Sequence, residues 1–205
     1  KEDNRYYEHG GVDIIGTTRA VVSNALGQSV QGGSSITQQY VKNTLVQRCV
    51  SDAESVEEGE KCATAYTTAD GSEGMARKLK EMRYAIGLEK KYSKDEILRG
   101  YLNIAHFGGV TYGVESASQY YFGVSAKDAN LVQAATIVSM VTNPNILRID
   151  RPDSETNGKA NGFEETLKAR NVTLQAMLAY GKITQEQYDE ASKAPVEPNI
   201  QQPES

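Results

Sequence analysis

Residues 32–43 read GGSSITQQYVKN, a pair of glycines followed by hydroxyl side chains and then by a polar helical pattern. Glycines let backbone N–H groups approach a ligand closely, and either of the two serines can cap a helix that begins near Ile36. In such a helix Ser35, Gln39 and Lys42 lie on one face, beside the N–H groups of the first turn. The segment predicts a grip on a phosphate or sugar-phosphate. A polar helix after a glycine turn is the alternative interpretation.

A second polar segment, EDNRYYEHGG at residues 2–11, places two acids shortly before a histidine. On a helix Glu2 shares a face with Tyr6, and Tyr6 shares one with His9. Taken by itself, the segment is more simply an acidic first turn, because acids favour the positive end of the helix dipole.

Residues 74–103, GMARKLKEMRYAIGLEKKYSKDEILRGYLN, predict two helices. In the first helix a mostly apolar stripe recurs at helical spacing, and Arg77, Lys78 and Glu81 occupy the adjoining face. The stripe consists of Leu79, Met82, Ile86 and Glu89. A solvated ion pair would account for Arg77 and Glu81 in isolation.

Other helices are predicted where capping residues precede an apolar pattern. These are a helix opened by Ser93 and Glu96, one from Ser125 and Asp128 through Val141 that Asn143 and Pro144 stop, and two at Phe163–Ala179 and Ile183–Ala194, the last with Thr184 and Gln187 as its capping box. Residues 150–162 are rich in Asp, Asn, Gly and Ser and read as a loop, and residues 196–205 are proline-rich and read as a linker.

Length and charge favour one compact catalytic domain. The chain has 205 residues with 22 basic and 27 acidic side chains, a balance that disfavours non-specific binding of nucleic acid. No signal peptide is visible, and no stretch approaches the roughly 20 apolar residues that span a bilayer. The longest apolar candidate, Leu131–Val141, is interrupted by polar residues and reads as a buried helix.

The two cysteines, Cys49 and Cys62, flank the acidic stretch DAESVEEGEK, which reads as a loop that continues to Gly74. Metal binding would require more ligands, and neither cysteine has a histidine nearby, so a disulfide is the favoured interpretation. It would add about 3 kcal/mol by restricting the unfolded state, and it would indicate an oxidising, extracytoplasmic environment. Two free thiols are the alternative.

The order of the motifs resembles the peptidoglycan glycosyltransferase domain (glycosyltransferase family 51) of class A penicillin-binding proteins and monofunctional transglycosylases. The matching elements follow each other over the first 125 residues or so: EDNRYYEHGG at 2–11, GGSSITQQYVKN at 32–43, RKLKEMRYA at 77–85, ILRGYLN at 97–103 and GVESASQYYFG at 113–123. One such element would be a weak signal, whereas five in register are a strong one.

Four positions depart from the usual pattern of that family. Tyr6 replaces a phenylalanine and Ser35 a threonine, so the ring and the hydroxyl are kept. Arg99 stands where the family usually has glutamate, so any ion pair made at this position must differ. Val124 stands where lysine is frequent in the family. None of these departures removes a residue that is expected to carry chemistry.

The resemblance implies a mainly α, lysozyme-like domain of two lobes at residues 1–195. Residues 12–31 would form a small, mobile, membrane-proximal lobe that touches lipid, although a buried helix would show much the same composition, and residues 49–74 would be an insertion loop. The resemblance also implies an N-terminal membrane anchor before this chain, on the extracytoplasmic face of a bacterial membrane, and a transpeptidase domain beyond its end. No Ser-x-x-Lys motif lies within the chain.

The resemblance further implies that the substrate is lipid II, which is polymerised into glycan strands with inversion and release of undecaprenyl diphosphate. Glu2 would be the catalytic base, and Glu81 would act beside the pyrophosphate. The expected substrate-binding residues are Lys42, Arg77, Lys78, Ser35, Gln39 and Gly33, and the expected supporting residues are Asp3, Tyr6, His9 and Asn43. Moenomycin would inhibit by binding across Glu2, Lys42 and Glu81. No cofactor is obligatory, but Mg²⁺ or Mn²⁺ at Glu81 is left open.

Two other functions also fit parts of the pattern. A glycan hydrolase or lytic enzyme would use Glu2 as an acid with a second carboxylate, but it would leave the Arg77–Lys78 pair without a phosphate to bind. A non-catalytic cell-wall binding module would have lost its site, which the presence of Glu2, Lys42 and Glu81 argues against.

Overall fold

The computed structural model describes residues 3–14, 33–68 and 71–201. Over these ranges the secondary structure is helical, with one isolated β-bridge between His106 and Tyr112, which confirms the predicted mainly α class. The helices are α1 (Ile36–Asp52), α2 (Val56–Thr68), α3 (Gly71–Glu89), α4 (Lys94–Ile104), α5 (Val114–Phe122), α6 (Leu131–Met140), α7 (Glu164–Ala179) and α8 (Gln185–Lys193). Glu2, and residues 15–32 of the segment predicted to touch lipid, lie outside the described ranges.

The chain divides into two units, residues 2–104 and residues 105–205. The first unit contains α1–α4, and the second contains α5–α8. A lysozyme-like arrangement of two lobes stays a prediction. No helix in the part of the chain that the structure describes has the length and apolarity needed to cross a membrane.

The residues between the two cysteines are helical, so the loop predicted for residues 49–74 is wrong. Helix α1 continues to Asp52, and α2 begins at Val56 after a turn of three residues. The two helices pack against each other and are joined by the predicted disulfide, with 6.1 Å between the Cα atoms of Cys49 and Cys62. The acidic residues gave the segment a loop-like composition, but acids in the first turn of α2 are favourable for a helix.

Helix α3 buries a different face from the one that its apolar pattern predicted. Leu79 and Ile86 are 61% and 42% exposed, whereas Glu81 and Ala85 are 2% and 0% exposed. A buried carboxylate is tolerated when cations pair with it, and α3 itself supplies them, as described below. The periodicity of apolar residues therefore misplaced the buried face.

The segment before α1 lies against α3 at Gly11. Gly11 has φ +88°, and a Cβ atom there would lie 2.8 Å from the carbonyl carbon and oxygen of Ala85. A side chain at this position would therefore collide with the backbone of α3, and the positive φ favours glycine in any case. Gly11 thus allows the N-terminal segment to approach the C-terminal half of α3.

In the second unit, the helix predicted to start at Ser125 and Asp128 starts later. Ser125 precedes a single 3-10 turn at Ala126–Asp128, and α6 begins at Leu131. Its capping box is formed by Asn130 and Gln133, which exchange hydrogen bonds of 2.9 and 3.0 Å. A serine followed three residues later by an aspartate is found at the start of a 3-10 turn as well as of an α-helix, so the sequence did not distinguish the two.

Helices α6, α7 and α8 share the core of the second unit. Buried Ala135, Leu174, Ile183 and Ala191 pack together there. Helices α7 and α8 begin within two residues of their predicted starts, and the predicted Thr184–Gln187 capping box opens α8. The capping box thus located the start of α8, whereas α7 begins after Phe163, which has φ +56° and makes no side-chain cap hydrogen bond.

The tail after α8 is docked at its start, so it is not a free linker from residue 196. Val196 is 7% exposed, and the backbone N–H groups of Asn199 and Gln201 each donate a 2.8 Å hydrogen bond to carbonyls at the end of α5. The guanidinium of Arg170, itself 0% exposed, donates 2.7 Å to the carbonyl of Ala194. Prolines gave this segment a linker-like composition, but extended backbone can still pair with carbonyls at a helix end.

Candidate functional site

The N-terminus of α1 is held by its own side chains. Ser35 caps the helix: its hydroxyl accepts from the Gln38 N–H at 3.1 Å, and the Gln38 side chain accepts from the Ser35 N–H at 2.8 Å. The same hydroxyl donates to the Gly11 carbonyl at 2.6 Å, and Ser35 is 1% exposed. The hydroxyl is therefore buried and bonded on both sides, which gives Ser35 a structural role, and its predicted contact with a ligand stays a prediction.

The first N–H group of α1 is hydrogen-bonded to a carboxylate of the chain itself. Asp3 accepts a 3.0 Å hydrogen bond from the Ile36 N–H and lies 2.9 Å from Nε2 of His9. The side chain of Asp3 is 1% exposed and that of His9 is 10% exposed. The positive end of the α1 dipole is thus already compensated by Asp3, so the N-terminus of α1 is not by itself the anion site that the glycine–serine pattern predicted.

Tyr6 belongs to a buried network that ties the N-terminal segment to α1 and α4. Its hydroxyl donates to the Lys94 carbonyl at 2.8 Å, and the Lys94 ammonium lies 4.4 Å from the centre of the Tyr6 ring. Lys94 pairs with Glu89 at 2.7 Å, and Glu89 accepts a 2.5 Å hydrogen bond from the buried hydroxyl of Thr37. Burial raises the pKa of Tyr6 to about 12, so the phenol stays protonated and keeps its role as a donor.

Glu81 and two cations form the charged cluster of α3. The Lys78 ammonium lies 3.2 Å from Oε2 of Glu81, and Nε of Arg77 lies 3.7 Å from Oε1. The side chain of Glu81 is 2% exposed, whereas those of Lys78 and Arg77 are 38% and 23% exposed. Oε1 of Glu81 and Nε of Arg77 are buried without a hydrogen-bond partner. One buried carboxylate thus holds two cations that still reach solvent, which leaves the cluster with an excess of positive charge.

Lys78 connects this cluster to the glycine–serine segment. Its ammonium donates to the hydroxyl of Ser34 as well as to Glu81. The sequence assigned Ser34 only as an alternative cap of α1 and did not predict the contact with α3. No local signal in the sequence gives it, because the two residues are 44 positions apart.

The polar face of α1 carries Gln39 and Lys42, as predicted. The Gln39 amide donates to the Ser34 carbonyl at 3.3 Å and accepts from the hydroxyl of Tyr101 on α4 at 3.1 Å. Lys42 is half-buried and has no carboxylate partner among the residues that the structure describes. Its charge is therefore available to a ligand, whereas Gln39 is fixed by its neighbours. The sequence analysis did not predict the contact of Tyr101, although a buried tyrosine usually brings a partner for its hydroxyl.

The charged cluster does not fit a divalent cation at Glu81. A single carboxylate flanked by a lysine and an arginine repels a metal ion, which prefers several oxygen ligands. Elsewhere in the described ranges, Asp3, His9 and Asp13 bring ligand atoms within 4.8 Å of one another. Asp13 pairs with Arg5, and Asp3 is bonded to His9 and to the Ile36 N–H, so these carboxylates are already compensated.

The predicted site residues therefore divide into groups. Those of α1 and α3 meet through the Lys78–Ser34 bond, and Asp3 with His9 lies at the start of α1. Asn43 and Gly33 lie next to these residues in the chain, and Glu2 lies outside the described ranges. The arrangement that results is a cationic cluster on α3 beside the start of α1, which suits a phosphorylated ligand.

Comparison with known proteins gives a family match over most of the chain. The family model described as Transglycosylase matches residues 1–178. A monofunctional glycosyltransferase of Staphylococcus saprophyticus is 33% identical over 197 residues, which are 93% of this chain and 61% of that protein. Penicillin-binding protein 2a of Streptococcus pneumoniae is 36% identical over 192 residues, which are 94% of this chain and 21% of that protein. The chain thus spans less than two thirds of the length of these relatives.

A solved structure also matches part of the chain. The crystal structure of penicillin-binding protein 1A from Haemophilus influenzae is 31% identical and covers 55% of this chain and 15% of that chain, with a TM-score of 0.45.

Proposed function

Because the chain belongs to the transglycosylase family, we propose that it catalyses peptidoglycan glycosyl transfer. In this proposal it polymerises lipid II into β-1,4-linked glycan strands, with inversion at the anomeric carbon and release of undecaprenyl diphosphate. The observation that carries the proposal is the cluster of Lys78, Arg77 and Glu81, in which two cations share one buried carboxylate.

A cluster of this kind suits a pyrophosphate leaving group. Glu81 holds Lys78 and Arg77 in place, and the excess positive charge remains for phosphate oxygens. The diphosphate is already negatively charged in the bound substrate, so cations placed there in advance contribute to binding of the substrate and hold the same group as it leaves. Lys42, which has no acidic partner in the described ranges, would add a further point charge.

Glu2 is the proposed general base. It would take the proton from the 4-hydroxyl of the GlcNAc in the acceptor lipid II, and the oxygen of that hydroxyl would attack C1 of the MurNAc at the end of the growing strand. The new C1–O bond forms as the C1–O bond to the diphosphate breaks, so the electron pair leaves with undecaprenyl diphosphate and the configuration changes from α to β. The anchored position of the adjacent Asp3 supports this role, because a base must be held within hydrogen-bond reach of its proton.

The remaining site residues would position the substrates and the base. Asp3 and His9 orient the segment that carries Glu2, and Tyr6 ties that segment to α4. Gln39, Asn43 and the backbone at Gly33 are proposed to contact the glycan or its diphosphate. We assign no step to a divalent cation, because the donor set at Glu81 does not fit one.

The proposed setting is the extracytoplasmic face of a bacterial membrane. Its supports are the disulfide, which needs an oxidising environment, and a substrate that carries a lipid chain. The proposed partners are the membrane surface, lipid II and the growing strand, moenomycin as an inhibitor and, in the full protein, a transpeptidase domain.

The first test is incubation of the chain with lipid II in detergent, with the wild type beside Glu2→Gln. We expect polymer from the wild type and a loss of at least about a hundredfold from the variant, because the neutral amide cannot accept the proton. Glu8→Gln is the matched control, since Glu8 is an exposed acid of the same segment. Gel electrophoresis of the products measures the result.

Two outcomes would contradict the proposal. Absence of polymer in a folded sample that also fails to bind moenomycin would exclude the transferase. Cleavage of a plain glycan without a pyrophosphate would instead identify a hydrolase, the competing enzyme class.

A further inference from the structure

Helix α2 carries no residue of the proposed catalytic site, yet it is attached to α1 by a disulfide in addition to packing. The turn between the helices has only three residues, so the two helices run antiparallel as a hairpin. Their packing is supplemented by the Cys49–Cys62 disulfide. Such a crosslink fixes the position of α2 along α1 as well as its distance from it.

The beginning of α2 is also held by local hydrogen bonds. The Ser55 hydroxyl accepts from the Glu58 N–H at 3.2 Å, and the Glu58 carboxylate accepts from the Glu54 N–H at 2.9 Å. The buried Gly59 of α2 lies against the end of α1, since a Cβ atom there would be in van der Waals contact, at 3.7 Å, with the side chains of Val50 and Ala53. The disulfide extends this attachment from the first turns of α2 to its middle.

The far end of α2 reaches the charged cluster of α3. Tyr66 lies one turn beyond Cys62, and its backbone carbonyl accepts a hydrogen bond from Nη1 of Arg77. The last carbonyls of a helix have no partner within the helix, and the negative end of its dipole favours a cation. Arg77 is therefore shared between the end of α2 and Glu81, whose Oε1 lies 3.7 Å from Nε of Arg77.

We propose that α2, fixed to α1 by the Cys49–Cys62 disulfide, positions Arg77 for the pyrophosphate. This inference rests on the proposed function, in which Arg77 binds that group. With Nη1 bonded to the Tyr66 carbonyl and Nε 3.7 Å from Oε1 of Glu81, the guanidinium has contacts with both helices that restrict its orientation beside the cluster. An arginine held in this way loses less conformational entropy when it binds, because its rotamer is set before the ligand arrives.

The test compares four proteins in the lipid II assay: the wild type, Cys49→Ser/Cys62→Ser, Arg77→Ala, and the combination of all three substitutions. In the wild-type background, removal of the disulfide should raise the KM for lipid II about three- to tenfold and change kcat by less than about twofold, as expected for weakened binding. In the Arg77→Ala background, the same removal should change KM by less than about twofold, because the residue that α2 positions is gone. All four are assayed at a temperature at which circular dichroism shows them to be folded.

A second measurement does not depend on activity. Arg77→Lys identifies the Arg77 side-chain signal in the ¹⁵N–¹H NMR spectrum of the wild type by its loss. We expect slow rotation of this guanidinium in the wild type and fast rotation in Cys49→Ser/Cys62→Ser. The signals of Arg170, whose partners lie in the second unit, serve as the internal control and should not change.

The outcomes separate this inference from the proposed function. If the wild type forms no polymer, the proposed function fails, while the NMR comparison still decides whether the disulfide restrains Arg77. The inference is overturned if removing the disulfide leaves both the Arg77 signal and the KM unchanged. An equal rise of KM in the Arg77→Ala background would also overturn it, because the disulfide would then act through general stability.

Discussion

Lys78 joins two separate motifs of the chain. Its ammonium contacts Glu81 on its own helix and the hydroxyl of Ser34 before α1. Burying Glu81 without a cation beside it would cost free energy, because an unpaired charge in the interior loses its hydration. Lys78 therefore combines a structural role with the proposed binding of phosphate, and its substitution should affect both.

We expect Lys78→Ala to raise the KM for lipid II about tenfold or more, because one of the cations beside the pyrophosphate is lost. Chemical denaturation should show a decrease in the free energy of unfolding of about 1–2 kcal/mol, since Arg77 still pairs with Glu81. Lys80→Ala is the matched control, as Lys80 is an exposed lysine of the same helix. Equal effects from the two substitutions would contradict the special role of Lys78.

At the scale of an element, the start of α1 is the feature that holds the first unit's polar residues in place. The Ser35 hydroxyl caps the helix and also donates to the Gly11 carbonyl, and the Asp3 carboxylate accepts from the first N–H of the helix. The N-terminal segment, α1 and α3 therefore meet through side chains that were expected to face a ligand. Removing one of these side chains should act on stability before it acts on binding.

Ser35→Ala should lower the free energy of unfolding by about 2 kcal/mol, because the cap is lost and the buried Gly11 carbonyl loses its donor. Ser93→Ala is the control, since Ser93 caps α4 at an exposed position and should cost about 1 kcal/mol or less. Urea denaturation of both variants measures the difference. A smaller effect at Ser35 than at Ser93 would show that the buried hydroxyl is not the stronger cap.

At the scale of the whole molecule, each unit has its own polar anchors. In the second unit, the carboxylate of Asp150 accepts from Arg148 at 2.6 Å and from the Tyr120 hydroxyl at 2.9 Å. Burial acts to raise the pKa of Asp150, but the hydrogen bonds from Arg148 and Tyr120 outweigh it, so the pKa is lowered below its usual value. The stabilisation from this group is therefore present above the unfolded-state pKa of 3.8 and is lost as the pH falls through the lower pKa of the folded state.

We expect Asp150→Asn to lower the melting temperature at pH 7 and to have a progressively smaller effect as the pH falls through the lowered folded-state pKa of Asp150, because the wild-type carboxyl then becomes protonated. Thermal melts across this pH range measure the difference. Asp153→Asn is the control, because Asp153 is an exposed acid nearby in the chain. A difference between Asp150→Asn and the wild type that stayed constant with pH would contradict the assignment.

The docked tail gives a further prediction for the second unit. A chain that ends at Pro195 should melt at a lower temperature than the full chain, because it loses the buried side chain of Val196 and the hydrogen bonds of Asn199 and Gln201. Removal of only residues 202–205 is the control and should have little effect on the melting temperature. Equal melting temperatures of all three chains would restore the interpretation of residues 196–205 as a linker.

The sequence by itself determined the helical class, the start of α1 at Ile36, the disulfide, and the capping boxes of α4 and α8. The helix start and the capping boxes follow from local chemistry, a hydroxyl three residues before an amide or acid. The disulfide follows from two cysteines without further metal ligands, and the mainly α class follows from the family resemblance. The motif order also gave the family, because five short patterns in register are more specific than any one of them.

Only the tertiary structure decided which polar groups are committed to the fold and which remain for a ligand. It placed Glu81 inside and Leu79 outside, bonded Ser35 to Gly11, and brought Lys78 to Ser34. The physical reason is that a polar side chain can be buried when its partner comes from a distant part of the chain. Helical periodicity records hydrophobicity along one segment and contains no information on such partners.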